Sequence, residues 1–159
     1  MFRDMRRKRQ LLSKKESLAV LQRGSSGVLA LLGDEGYPYA LPISYTLVGE
    51  SLYFHSATEG HKIDAIRKEP KASFCVIDMD IILPEQFTTC YRSVIAFGKV
   101  SIVDNTEELQ TTLMKLAEKY SSAHMEHADA EIERFKKHVS ILRLDIEHLT
   151  GKQAKELLK

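Results

Sequence analysis

The sequence has no tryptophan, two cysteines, four prolines and a formal net charge of only +1. Each scarcity removes a class of explanation. Cys75 and Cys90 are separated by fourteen residues, outside any Cys-x-x-Cys motif, so they are expected to be free thiols in a reducing compartment. Cys75, inside Phe74-Cys75-Val76-Ile77, reads as core packing rather than as a nucleophile. A charge balance this close to neutral gives no global field toward nucleic acid, membrane or acidic substrates. No apolar run approaches the ~18 residues of a spanning helix. The arginine-rich start lacks the apolar segment of a signal peptide, and the expected location is cytoplasmic.

Familiar motifs are missing too. Gly-x-Gly-x-x-Gly does not occur, and neither Gly98-Lys99 nor Gly151-Lys152 has the upstream glycine of a P-loop. Rossmann and nucleotide-hydrolase chemistries are therefore poor readings. No serine stands in a Gly-x-Ser-x-Gly elbow. His124-Met125-Glu126-His127 spaces its histidines three apart, where the zincin pattern needs four, and reads as a solvated helix end rather than a metal site. His138 and His148 flank the last predicted strand as ordinary surface or satisfied residues.

What is present is an ordinary globular composition, 43% apolar and 28% charged. The 159 residues suffice for one domain, 1–159, with a sizeable core. Residues 1–12 form a basic arm holding Arg3, Arg6, Arg7, Lys8 and Arg9, without aromatic interleaving; a solvated arm or first helical turn is its plainest reading. Ser13-Lys14-Lys15-Glu16 is a capping box, and Leu18 and Leu21 continue a short helix to near Gly24.

Strands follow. Val28–Leu32 is a short buried run, and Gly33-Asp34-Glu35-Gly36 has hairpin-turn chemistry. Tyr37–Leu47 reads as one strand whose Pro38 and Pro42 each remove a ladder donor, making it an edge, bulged, or in contact with something other than a neighbouring strand. After the Val48-Gly49-Glu50 turn comes the strand Ser51–His55, and after that a helix over Lys62–Lys68 with Ile63 and Ile66 inward. Pro70 stops the helix, Lys71–Ile77 is a strand, and Asp78–Gln86 is expected to be a loop. Thr88–Val103 alternates as a long strand bent at Gly98. Thr106–Tyr120 is a helix capped by Thr106, and Ala128–Lys137 is a second. Val139–Ile146 alternates as the strand closing the sheet, and Gly151–Lys159 is a short charged helix or tail. About six strands in mostly hairpin order favour antiparallel pairing, and a closed or partly closed barrel removes the exposed edges. The predicted class is mainly β or α+β.

The stretch that organises the chain is His55-Ser56-Ala57-Thr58-Glu59-Gly60-His61-Lys62. A strand enters it, a helix leaves it, and Gly60 lets the backbone bend or approach a ligand. A helix N-terminus carries unpaired N–H groups and partial positive charge. With the Ser56 hydroxyl, the His61 ring and the Lys62 ammonium added, it can cradle a phosphate. Taken alone, the stretch favours a simpler reading: a turn with a solvated lysine and a capping histidine.

The wider pattern shifts that balance. Met5-Arg6-Arg7-Lys8-Arg9, Gly36-Tyr37-Pro38-Tyr39-Ala40-Leu41-Pro42, Tyr53-Phe54-His55-Ser56-Ala57 and Gly60-His61-Lys62 come first. Phe87-Thr88-Thr89, Tyr91-Arg92-Ser93-Val94-Ile95, Phe97-Gly98-Lys99 and Ile146-Glu147-His148-Leu149-Thr150-Gly151-Lys152 follow. In this order they resemble the Nim-type, nitroimidazole-resistance-like branch of the pyridoxamine 5'-phosphate oxidase-like flavin-binding proteins. The resemblance implies an FMN-binding antiparallel split β-barrel with flanking helices, as a homodimer with flavin at the subunit interface; FAD is the alternative cofactor. It implies two-electron reduction of nitroaromatic or related small molecules, with a reduced nicotinamide (NADH or NADPH) as electron donor. Carried over, His55, Ser56, His61 and Lys62 would contact the ribityl-phosphate arm. Pro42, Ile43, Ser44 and Tyr45 would line the flavin, and Tyr91, Ser93 and Val94 would approach it from another strand. His55 is also the candidate catalytic residue, facing the reactive side of the ring. Cys90 departs from the pattern, which expects an aromatic or small residue there, and the Asp78–Gln86 loop bears on substrate access. Two other readings stand beside this one: a flavin- or haem-binding protein that stores or senses its ligand without turnover, and, ranked last, a nucleic-acid-binding barrel using the basic arm.

Overall fold

The computed structural model describes residues 1–158. Its strands are β1 (Leu11–Leu12), β2 (Ser26–Leu32), β3 (Pro38–Ser44), β4 (Thr46–Val48), β5 (Ser51–Ala57), β6 (Lys71–Leu83), β7 (Thr88–Ile102) and β8 (Val139–Gln153). Four helices flank them: α1 (Lys14–Arg23), α2 (His61–Lys68), α3 (Thr106–Tyr120) and α4 (Ala128–Phe135). All pairings are antiparallel, in the order β3-β2-β6-β7-β8-β5-β4, with β1 added along the end of β8. β3 and β4 follow one another in the chain yet occupy opposite ends of that order, so the sheet curls into a half-barrel.

Tyr45 is the joint between those two ends. The predicted strand Tyr37–Leu47 is in fact two strands broken there. β3 is an edge strand, as its prolines require, with Pro42 opposite Val28. The fully buried Tyr45 donates its hydroxyl to Leu21 O at 2.7 Å, and its N–H donates to the Tyr120 hydroxyl at 3.0 Å. The Tyr120 hydroxyl in turn has Tyr45 O (2.6 Å) and Ser25 O within donating reach. The last residue of α3 thus satisfies the backbone where the sheet ladder stops. Burial raises the pKa of both phenols, so both stay protonated donors.

The core lies inside the curl. Phe74 meets Tyr45 and Phe54 edge-on, with ring centroids 4.9 and 5.1 Å away. Leu21, Leu29, Leu52, Ile63, Val94, Leu142 and Leu144 complete it, all without solvent exposure. α3 instead packs outside, where Leu116 joins Val103 and Ile141 beneath Tyr53, Leu109 and Leu113.

α1 and its capping box form as the sequence predicts: Ser13 N–H donates to Glu16 Oε2 at 2.8 Å, and Glu16 N–H to Ser13 Oγ at 3.2 Å. The bend at Gly98 is a register shift between Phe97 and Gly98, and a Cβ at Gly98 would collide with the Asp145 carbonyl. Several expectations need correction. The sheet has eight strands rather than six. β6 runs on to Leu83, through most of the predicted 78–86 loop, because a bulge at Asp78 resets the register and β7 supplies ladder partners beyond it. Asn105, not Thr106, caps α3, its side chain accepting from Glu108 N–H at 2.9 Å. β8 extends to Gln153 and lies within the sheet between β7 and β5 instead of closing it, so Gly151–Gln153 is strand and not tail. Of the rest of that tail, Lys155–Leu157 is a 3-10 turn and Lys159 lies outside the described residues. Cys75 alternates with the inward Phe74 and Val76, so it is half-buried on the outer face; Cys90 is the buried thiol.

Candidate functional site

The junction from β5 to α2 places a buried serine, a glycine and a lysine at a helix start within seven residues. Leu52, Phe54 and Ser56 point inward from β5, while Tyr53, His55 and Ala57 point outward. Ser56 sits where a core side chain would, and its Oγ is buried with no hydrogen-bond partner. Such a hydroxyl costs free energy unless a ligand satisfies it. Gly60 has φ of +114° with open space around its Cβ position, so backbone conformation and not crowding calls for glycine.

α2 begins immediately afterwards. Ile63 N–H and Asp64 N–H return to Gly60 O at 2.9 and 3.1 Å, leaving the amides of His61 and Lys62 as the unpaired donors of the first turn. Ile63 and Ile66 hold the helix to the core. Lys62 has no carboxylate within ion-pairing distance among the described residues, and burial lowers its pKa. An unpaired, partly desolvated ammonium is a strong attractor for an anion. The His61 ring stacks on Tyr39 (centroids 4.1 Å apart, planes 13° apart), and its Nε2 lies 3.5 Å from Asp34 Oδ2. Tyr39 and Asp34 escaped the sequence reading. They come from the β2–β3 hairpin, and only the Tyr37-Pro38-Tyr39 segment hinted at them.

The remaining candidates fall into other places. His55 is exposed on the face opposite Ser56, beside Ile141 of β8. Pro42 is exposed on the outer face, while Ile43 and Ser44 are half-buried, Ile43 against the core. The side chains of Tyr45 and Val94 are fully buried and serve the core; Tyr45 also has both backbone groups engaged. Tyr91 and Ser93 are half-buried on the outer face of β7. In register, Pro42, Val28, Cys75 and Ile95 form one outward row, and Ile77, Ser93 and Lys152 another. Within one chain, then, Ser56, His61 and Lys62 lie at the junction of β5 and α2, Ser56 turned inward and His61 exposed, and Pro42, Tyr91 and Ser93 share a different surface.

A cavity of about 480 Å³ lies elsewhere, between α1 and the ends of β7 and β8. Its arginines are already engaged: Arg23 Nε and Nη2 each donate to Asp78 at 2.6 Å, and Arg92 Nη1 donates at 3.3 Å. The β5–α2 junction supplies an unpaired cation, free amides and, among the described residues, an orphaned buried hydroxyl. That donor set fits a phosphate dianion. Among the described residues no group of three His, Cys, Asp or Glu side chains could hold a metal ion, and no helix is long and apolar enough to cross a membrane.

Known structures share this fold. A candidate 5-nitroimidazole antibiotic resistance protein from Bacteroides thetaiotaomicron superposes with a TM-score of 0.75 at 19% identity, covering 90% of this chain and 86% of its own. A conserved hypothetical protein from Mycobacterium tuberculosis superposes with 0.84 at 18% identity, covering 97% and 92%. An FAD and haem binding protein from Mycobacterium smegmatis gives 0.74 at 21% identity, covering 92% and 74%. At these identities the likeness shows the fold. No curated protein matches the chain. The sequence profile described as pyridoxamine 5'-phosphate oxidase matches residues 13–153, nearly the whole chain. The protein belongs to the pyridoxamine 5'-phosphate oxidase family.

Proposed function

We propose that this protein is a flavin-dependent oxidoreductase that holds the phosphate of FMN at the β5–α2 junction with Ser56, His61 and Lys62. The observation that carries the reading is the buried, partnerless Ser56 Oγ at the end of β5 together with an unpaired Lys62 in the first turn of α2. Both groups are costly without a partner, and a phosphate supplies one to each. FAD carries the same phosphate and is the alternative cofactor; the FAD-binding fold neighbour supports flavin of either kind. The flavin would supply two-electron hydride chemistry. The protein's residues bind and orient it: Lys62 and the two free amides neutralise the phosphate, and the Tyr39 stack fixes the His61 ring. His55, on the outward face of β5, is the candidate residue beside the reactive ring.

A second copy of the chain completes the site in this reading. Pro42, Tyr91 and Ser93 share the outer face with exposed Val28, Ile77 and Ile95. A homodimer covering that apolar surface would bring the partner's cradle to it. The substrate class is nitroaromatic or related small molecules, consistent with the nitroimidazole-resistance neighbour, with reduced nicotinamide as donor. Steady-state oxidation of NADPH or NADH with a nitroaromatic acceptor tests this. Turnover that scales with bound flavin is expected. A flavin-loaded protein that oxidises neither would instead favour the storage or sensing reading, which the flavin- and haem-binding neighbour also suits.

A further inference from the structure

The basic arm is exposed along its charged residues, as expected, but it is anchored at both ends. Phe2 stacks on His148, with centroids 4.4 Å and planes 5° apart, and also lies against Phe97 at 5.5 Å. At its other end Gln10 is buried and Leu11 pairs with Lys152. Pinned at both ends, the arm carries Arg6 and Arg7 over Lys152, and with Met5 these line a cavity of about 350 Å³. None of the three cations has a carboxylate within ion-pairing distance among the described residues, the arm's own Asp4 included. Lys152 Nζ sits 5.2 Å from the centroid of the Tyr91 ring, so an aromatic plate adjoins the charges. Three convergent like charges repel one another, and an anion removes that cost.

We infer that Arg6, Arg7 and Lys152 form a second anion site, for the phosphate or diphosphate of a nucleotide whose planar part lies near Tyr91. It is separate from the cradle of the same chain. Ser56 pairs with Ser140 at the start of β8, and Lys152 lies twelve residues further along that strand. Even a coiled strand of that length spans on the order of 20 Å or more, too far for one phosphate to touch both. The outer face of β7, where flavin is proposed to meet the protein, adjoins this site through Tyr91 and Ser93. Assignment to a nucleotide, either the nicotinamide donor or the ADP half of FAD, rests on the flavin reading; the anion site does not.

The test titrates inorganic pyrophosphate calorimetrically at low ionic strength into the full chain. Wild type, Arg6→Gln/Arg7→Gln, Lys152→Gln and Lys62→Ala are compared, each shown to be folded by its thermal transition. Because the cradle also takes phosphate, the arm and Lys152 substitutions are placed in the Lys62→Ala background. Pyrophosphate is expected to bind wild type and Lys62→Ala, and to bind these combined variants roughly tenfold more weakly or worse. Absence of binding to wild type overturns the site, as does loss in Lys62→Ala alone or undiminished binding in the combined variants. This readout does not depend on bound flavin, so its failure is distinct from failure of the cradle. In flavin-loaded protein, displacement of pyrophosphate by NADPH without flavin release supports the nicotinamide donor. Closure of the site by FAD but not by FMN supports the cofactor's ADP half. Displacement by neither overturns the nucleotide assignment.

Discussion

Ser56 takes a core position on β5 with a hydroxyl that nothing in the protein satisfies. Replacing it by alanine separates folding from binding. Ser56→Ala is expected to leave the flavin-free protein as stable or more stable, by on the order of 1 kcal/mol, because a desolvated hydroxyl is removed. It should weaken flavin binding by roughly tenfold, because one donor to the phosphate is lost. Chemical denaturation of flavin-free protein and a flavin titration read the two effects; reduced stability with unchanged affinity would make Ser56 purely structural. Ser56, His61 and Lys62 were legible in the sequence because strand, glycine and helix start are contiguous. Tyr39 and Asp34 were not, since their approach to His61 depends on how the β2–β3 hairpin leans on α2. Tyr45 looked like a lining residue because face assignment depends on register, and the chain turns its corner there.

Elements were legible where periodicity was unbroken, as in α1, α3 and β7, and illegible where a polar residue interrupts a strand. Asp78 is the clearest case. Asp78-Met79-Asp80 reads as a loop, yet the bulge turns the Asp78 carboxylate toward Arg23 and Arg92, and the strand resumes. The hydrogen bonds from Arg23, and to a lesser degree those from Arg92, hold the Asp78 carboxyl below its ordinary value. A lowered folded-state value means that the stabilisation is complete above the ordinary carboxylate value near 4 and fades as pH falls through the lower one. Asp78→Asn should therefore cost on the order of 1 kcal/mol at neutral pH, a modest figure because Arg23 is half exposed. The difference from wild type should vanish in strong acid. Denaturation midpoints across the acid range check this, and a gap that persisted there would contradict it. Similarly, the prolines announced an edge strand, but the break between β3 and β4 depends on the Tyr120 hydroxyl, 75 residues downstream, which no local pattern reveals.

At the scale of the molecule, the curled sheet keeps the β5–α2 junction and the outer face of β6 and β7 apart, and in the proposed function a second copy brings them together. Ile77 is 66% exposed in the single chain, at odds with its apolar side chain unless a partner covers it. Ile77→Asp is expected to preserve the fold, shift the protein to monomer in sedimentation velocity and lower flavin content in the same samples. A variant that stays dimeric with full flavin would remove this face from the interface. Antiparallel pairing and a closed or partly closed barrel could be read from hairpin order, and the split barrel from the family resemblance; the separation of the β5–α2 junction from the outer face could not, because it arises from the curl of the sheet.

The most direct test is the visible absorption spectrum of the purified protein beside that of Lys62→Ala, with any chromophore released by heat and chromatographed. The expected result is a yellow wild type releasing FMN and a folded but colourless variant. A folded Lys62→Ala protein with undiminished flavin, or a wild type that stays colourless when flavin is added, would contradict the phosphate cradle.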